Sequence, residues 1–211
     1  MKKLLVSGCS MTHGCEIFPG FMNPENIKLS YSQHLANMLD CELINVALSA
    51  GSNEYIFHSI VEQIEKNDDI DSVLVMWTTT GRIYWKCNNR HYFTTGTFAS
   101  SMVDLVNFKM HEKRVDGCWF IGDNDDIVNK LVETHKFFVT DYFDHTQETK
   151  KINHYRMALK SICLDQRIKL VDLTWQSNEI VSECMTSARH PTAEEHKQIA
   201  NDIYKEYYEN Q

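Results

Sequence analysis

A serine and a histidine that could together carry out acyl transfer lie at opposite ends of this 211-residue sequence. Ser10 follows an apolar segment and stands in Gly-Cys-Ser-Met-Thr-His-Gly at 8–14, while His190 precedes Pro191 near the C-terminus. A serine hydroxyl at the start of a helix can attack a carbonyl carbon, its own N–H can help to hold the oxyanion, and a histidine can accept the hydroxyl proton. Taken alone, each residue has a simpler explanation, a helix cap for the serine and a structural or exposed imidazole for the histidine.

Two further polar loops could assist such a reaction. Gly51 and Asn53 follow a second apolar segment, and Thr78, Thr80 and Arg82 follow a third. The backbone N–H of a glycine and a side-chain amide can donate to an oxyanion, while hydroxyls and a guanidinium suit a polar or anionic substrate. A glycine turn with an asparagine cap, or a solvated polar loop, explains each segment equally well or better when it is considered alone.

Apolar segments alternate with helical patterns, and this alternation would position the candidate residues. We predict strands at 3–8, 42–47, 72–77 and 167–173, and helices at 31–39, at 53–66 and after the capping box at 192–195, with a broken helical region at 124–164. Such alternation predicts a single-domain α/β/α sandwich with a mostly parallel sheet. Ligands bind beyond the carboxyl ends of the strands in such sheets, which is where the three polar loops fall.

The middle of the chain, at about 82–123, is rich in aromatic residues and poor in periodicity. We interpret it as an insertion over the top of the sheet. Its eight aromatic side chains could stack on a sugar, although a local core is the more common explanation. They could also form a substrate lid or the face of a homo-oligomer, and the sequence leaves both open.

Composition excludes several classes of partner. With 21 Lys and Arg against 29 Asp and Glu, the formal net charge of −8 argues against a nucleic-acid-binding face. The longest apolar run, Val73 to Trp77, is far shorter than the roughly 20 residues that span a bilayer. The N-terminal residues lack the apolar region of a signal peptide and are interpreted as a strand. We therefore expect a cytoplasmic protein without a membrane or nucleic-acid partner.

The cysteines and histidines give little support for a disulfide framework or a metal site. Seven cysteines are scattered with no Cys-x-x-Cys pair, which is typical of free thiols in a reducing compartment. The histidines of the middle region show neither helical metal-site spacing nor a His-Glu-x-x-His motif. They are His91, His111, His135, His145 and His154. We predict no cofactor and no metal.

The order of these segments resembles the SGNH hydrolase superfamily, also called the GDSL esterases, along the length of the chain. The family's first block, Gly-Asp-Ser-x-x-x-Gly, corresponds to residues 8–14, and its Asn and Gly after the second strand correspond to Asn45 and Gly51. Its C-terminal His-Pro corresponds to His190 and Pro191. The Ser-Asn after Gly51 and the Trp-Thr after the third strand are most similar to small bacterial and phage members.

The resemblance implies a flavodoxin-like fold and a serine ester hydrolase. In that interpretation Ser10 attacks the ester carbonyl and His190 accepts its proton. The oxyanion hole would comprise Ser10, Gly51, Asn53 and Thr80, and the substrate would contact Thr78 and Arg82. The expected substrate is a short acyl or acetyl ester of a small molecule or carbohydrate.

Three departures from the family pattern favour an alternative, a catalytically impaired binding or interaction module. Cys9 replaces the Asp beside the nucleophile, and the third block, Gly-x-Asn-Asp, is absent, so that Thr80 aligns nearest its Asn. Ser187 stands where the triad acid is expected, three residues before His190. A missing triad acid can lower the rate by orders of magnitude. The sequence leaves three substitutes open: Asp172, Glu179 and Glu183.

Overall fold

The computed structural model describes residues 2–19, 23–82, 125–141, 144–187 and 189–209, and the backbone of five short strands between 85 and 122. In chain order the strands are β1 Lys3–Ser7, β2 Glu42–Asn45, β3 Ile70–Trp77, β4 Trp85–Cys87, β5 His91–Phe93, β6 Phe98–Ser100, β7 His111–Val115, β8 Cys118–Gly122 and β9 Lys169–Thr174. The helices are α1 Ser10–His13, α2 Glu25–Lys28, α3 Tyr31–Met38, α4 Asn53–Lys66, α5 Asp125–Asp141, α6 His145–Asp165, α7 Glu179–Thr186 and α8 Ala193–Tyr207.

The main sheet is parallel, in the order β2-β1-β3-β9. Leu5 in β1 is in register with Ile44 of β2 and with Val73 of β3, which makes β1 an inner strand. The run Leu4–Val6 is fully buried, as expected for a strand covered on both faces. The predicted α/β class and mostly parallel sheet are therefore confirmed.

Helices cover both faces of this sheet. Alternate residues of a strand point to opposite faces, so Leu4 and Val6 pack with one group of helical residues and Leu5 packs with another. The first group comes from α3, α7 and α8: Leu35, Val181, Ile199 and Ile203. The second comes from α4 and α6: Ile56, Ile60 and Leu159. The sandwich thus has two cores separated by the sheet.

Most predicted elements occur, and their boundaries differ for local reasons. The helix at 53–66 is confirmed with the same bounds, although Ser52 is its N-cap and accepts a hydrogen bond from Tyr55. The break near 141–146 is confirmed, since α6 begins after Asp144, which caps it. The fourth strand begins at Lys169 and not at 167, because Arg167 has a φ of 58° and terminates α6 in a left-handed conformation.

The aromatic-rich insertion contains more regular structure than its sequence pattern predicted. Strands β4 and β5 pair antiparallel, and β6, β8 and β7 form a second small sheet. Its aromatic side chains lie outside the described part of the structure. Their proposed roles in sugar stacking, a local core, a lid or a dimer face therefore stay predictions. No helix in the described part of the chain is long and apolar enough to cross a membrane.

A buried imidazole joins α3 to α8. His196 is fully buried, and its Nδ1 accepts a 3.2 Å hydrogen bond from the backbone N–H of Tyr31. The two rings stack with centroids 5.9 Å apart. Burial, with smaller contributions from His34 and His190, lowers the pKa of His196 to about 4. The folded state therefore requires a neutral ring with its proton on Nε2.

We expect His196 to make stability depend on pH below neutrality. An unfolded histidine gains its proton near pH 6.5, whereas folded His196 gains it near pH 4. The contribution of His196 to the free energy of unfolding is therefore fully present above about pH 6.5 and is lost as the pH falls from 6.5 to 4. The loss is about 3 kcal/mol at pH 4. Urea unfolding at several pH values should show this loss in wild type but not in His196→Gln.

His154→Gln is the matched control, because His154 is exposed on α6, and its pH profile should follow that of wild type. Equal pH slopes for wild type and His196→Gln would contradict the assignment of a buried neutral imidazole.

Candidate active site

A tight turn places Ser10 at the carboxyl end of the inner strand β1. The strand ends at Ser7 and helix α1 begins at Ser10. A Cβ added at Gly8 would lie 2.0 Å from Thr12 Oγ1, so only glycine permits the turn to close this tightly. Thr12 is fixed in place because its hydroxyl accepts a 2.8 Å hydrogen bond from Tyr31. The helix carrying Ser10 is therefore locked against the end of the sheet.

Ser10 offers a hydroxyl and a backbone N–H that the fold leaves available. The residue is 6% exposed, and within the described residues neither its side chain nor its N–H has a hydrogen-bond partner. The N-cap residue Cys9 makes no side-chain cap bond, and the N–H of Met11 is likewise without an acceptor in that part of the chain. First-turn N–H groups of a helix normally require an external acceptor. An oxyanion formed at Ser10 would meet this requirement.

The second loop docks directly on the first. The N–H of Leu48 donates to the carbonyl of Gly8 at 3.1 Å, and a Cβ on Gly51 would lie 2.9 Å from Leu48 O and 3.4 Å from Gly8 O. Gly51 itself donates its N–H to Leu48 O at 2.9 Å. Asn45 orders the start of the loop by accepting from the N–H of Ala47 and donating to Ser32. Gly51 thus packs closely against the first loop, and the N–H that we expected to donate to an oxyanion is already bonded.

Asn53 connects the second loop to the third. Its Oδ1 accepts from the N–H of Thr78 at 2.8 Å, and its Nδ2 donates to the carbonyls of Thr78 and Thr79 at 3.1 and 3.2 Å. Both N–H bonds of the amide are thus occupied by backbone acceptors. Asn53 and Gly51 could donate to an oxyanion only by exchanging these bonds when a substrate binds.

The remaining predicted residues lie in the third loop with different partners. Thr78 carries a buried hydroxyl with no hydrogen-bond partner among the described residues. Arg82 donates to the carbonyl of Gly51 at 3.4 Å, which places its guanidinium beside the second loop. Thr80 instead has its hydroxyl 3.1 Å from Nδ1 of His145 at the start of α6. Of these three residues, Arg82 therefore lies beside Gly51, the hydroxyl of Thr78 is buried, and Thr80 contacts α6.

His190 meets a carboxylate that the sequence did not indicate. Its buried Nδ1 lies 2.8 Å from Oε2 of Glu16, which is the distance of an ion pair. The two groups are not aligned as a hydrogen bond requires. Glu16 follows the end of α1 and has a φ of 72°. No motif in the sequence marks this residue, and Glu16 was not among the carboxylates considered. The contact ties the histidine segment to the loop that carries Ser10.

Two of the three carboxylates considered as substitutes for the triad acid are engaged elsewhere. Asp172 accepts from the indole N–H of Trp77 at 2.7 Å and from Arg156 at 3.0 Å. Glu183 accepts from Arg189 at 2.9 Å. Glu179 lies in the first turn of α7. That helix ends three residues before Arg189, the residue that precedes His190. Ser187 donates its hydroxyl to the carbonyl of Glu183 at 2.7 Å.

The thiol of Cys15, near the first loop, is unsuited to act as the nucleophile. Burial raises the pKa of Cys15 to about 11, so its thiol stays protonated at neutral pH. Cys9, Cys15, Cys41, Cys163 and Cys184 are free thiols. Within the residues whose side chains are described, no cluster of three or more His, Cys, Asp or Glu could hold a metal ion.

Comparison with known proteins gives structural neighbours only. No family model matches the chain, and no curated protein matches it significantly. A Desulfitobacterium hafniense protein provisionally assigned to the G-D-S-L lipolytic family is 12% identical with a TM-score of 0.39, covering 96% of this chain and 98% of that one.

Two further solved structures show similarity at the same level. A G-D-S-L lipolytic family member from Veillonella parvula is 10% identical with a TM-score of 0.38, and each chain is covered completely. The acetyl xylan esterase AlAXEase is 11% identical with a TM-score of 0.37, covering 98% of this chain and 100% of that one. The structural neighbours are thus lipolytic and esterase proteins, but TM-scores below 0.5 do not by themselves establish the activity of this chain.

We expect Gly8→Ala to destabilise the protein severely, by several kcal/mol, because the new methyl group would overlap Thr12. Urea unfolding measures the loss. Thr12→Ala removes the closest overlapping atom, so the double variant should be less destabilised than the sum of the single variants. Additive effects would show that the contact between Gly8 and Thr12 does not constrain the turn.

Proposed function

We propose that the protein is a serine-dependent ester hydrolase with Ser10 as nucleophile and His190 as general base. The observation that carries the proposal is the environment of Ser10. A hydroxyl without a partner in the described structure stands beside two helix N–H groups that also lack acceptors there, at the carboxyl end of the inner strand. This edge of a parallel sheet is where ligands bind.

The reaction would proceed through an acyl-enzyme. His190 accepts the proton of Ser10 while Oγ attacks the ester carbonyl carbon. The oxyanion is held first by the N–H of Ser10, and Gly51, Asn53 and Thr80 join only if their present hydrogen bonds are exchanged. The tetrahedral intermediate collapses as His190 returns the proton to the departing alcohol. Water, deprotonated by the same histidine, then attacks the acyl carbon. The bond to Ser10 Oγ breaks as His190 returns the proton to it, which releases the acid and restores the enzyme.

The substrate we propose is a short acyl or acetyl ester, on a small molecule or a carbohydrate. Ser10 is only 6% exposed, so a bulky acyl chain would have little space beside it. The guanidinium of Arg82 offers a polar contact to the alcohol portion, and the buried, unpartnered hydroxyl of Thr78 would join it only if substrate binding opened the third loop.

A second candidate function, a non-catalytic binding module, is favoured by two observations. The side-chain amide of Asn53 is saturated by the backbone of the third loop, and Ser187 stands at the expected position of the acid. A site of this kind would retain a polar pocket without turning a substrate over.

We expect Ser10→Ala to abolish both labelling by a fluorophosphonate probe and hydrolysis of p-nitrophenyl acetate. The expected loss in kcat is about 10³-fold or more, because the attacking atom is removed. Ser187→Ala is the matched control, since it removes a serine hydroxyl that bonds only to α7 carbonyls, and it should retain wild-type labelling.

Equal labelling of wild type and Ser10→Ala would exclude Ser10 as the nucleophile. A wild type that is folded by circular dichroism but neither labels nor hydrolyses the ester would favour the binding module.

A further inference from the structure

The position three residues before His190 supplies no carboxylate, yet the histidine ring still needs an orienting partner. Nδ1 of His190 is buried and forms no hydrogen bond among the described residues. A buried ring nitrogen without a partner is unfavourable. A carboxylate oxygen, Oε2 of Glu16, lies 2.8 Å from this nitrogen. The distance is that of an ion pair, and a hydrogen bond would form if the ring and the carboxylate were aligned with each other.

The backbone at Glu16 is held in a conformation that its residue type disfavours. Gly14 is the C-cap of helix α1 and has a φ of 80°. The N–H groups of Gly14 and Cys15 both donate to the carbonyl of Ser10 at 3.1 Å. Glu16 then has a φ of 72°, a region in which a glycine would be comfortable and a glutamate is not. A non-glycine residue in this conformation is often found where its side chain has a function.

We infer that Glu16 is the positioning residue for His190 and takes the place of the acid missing at Ser187. This inference rests on the proposed function of Ser10 and His190. The carboxylate accepts a hydrogen bond from Nδ1–H and so keeps Nε2 unprotonated, the state in which Nε2 can accept the proton of Ser10. The acid is contributed by the loop that follows the nucleophile helix, so the nucleophile and the orienting carboxylate lie in one short segment.

The exposure of the two side chains determines how much rate should be lost when the carboxylate of Glu16 is removed. The side chain of Glu16 is 71% exposed and that of His190 is 22% exposed, so solvent screens the interaction. Its removal should therefore cost less than the ~10⁴-fold loss that follows disruption of a buried triad acid.

Glu16→Gly separates this role from a structural one. The substitution removes the carboxylate and also relieves the disfavoured backbone conformation, so the melting temperature should stay the same or rise. The rate of fluorophosphonate labelling and kcat for p-nitrophenyl acetate should fall about 10- to 100-fold, with KM within about twofold. Glu16→Asp should recover part of the rate. Glu25→Gln, which removes an exposed carboxylate paired with Lys28, should match wild type.

A second measurement does not depend on esterase activity. Nitrogen-15 NMR of the histidine rings at pH 8.5 should show the proton of His190 on Nδ1 in wild type and predominantly on Nε2 in Glu16→Gly. An unchanged tautomer in the variant would overturn the inference, whatever the activity. If wild type is active and Glu16→Gly has the same kcat, the inference about Glu16 is also overturned, while the proposed function stands. A wild type without activity whose tautomer still changes would refute the proposed function and leave the role of Glu16 supported.

Discussion

The turn from β1 into α1 is the constraint on which the candidate site depends. Because Gly8 has no side chain to overlap Thr12, the helix can start close after the inner strand. The N–H groups of its first residues, Ser10 and Met11, are without acceptors in the described structure. Thr12 is held in turn by Tyr31, and Tyr31 is held by His196. The position of one serine thus depends on packing that extends through α3 to the C-terminal helix.

The polar loops at this edge largely satisfy one another. Leu48 bonds to Gly8, Asn53 bonds to Thr78 and Thr79, and Arg82 reaches Gly51. Buried polar groups must find partners, and without a ligand the nearest partners are in the neighbouring loops. A substrate must therefore either use the few groups left over, such as the hydroxyl of Ser10 and the N–H groups of Ser10 and Met11, or replace bonds that already exist. A site that uses free groups would suit an efficient hydrolase, whereas a site that must first exchange hydrogen bonds would suit a weak hydrolase or a binding protein.

Local sequence predicted most of the fold because the relevant forces act over short stretches. The buried run in β3 and the apolar stripe of α4 are both visible as patterns, and Thr192 with Glu195 marks the start of α8. The failures are equally local in origin. Arg167 adopts a left-handed conformation that its residue type does not predict, and the strands of the insertion are too short to show a clear alternation.

The sequence by itself determined the class of fold, the three loops at one edge of the sheet, and the choice of Ser10 and His190 as candidates. Tertiary structure alone decided which groups remain available. It directed the amide of Asn53 into the third loop, placed Asp172 against Arg156, and brought Glu16 to His190. These outcomes depend on hydrogen bonds and ion pairs between residues far apart in the chain. Such contacts leave no periodic pattern, because only the folded backbone sets their distances.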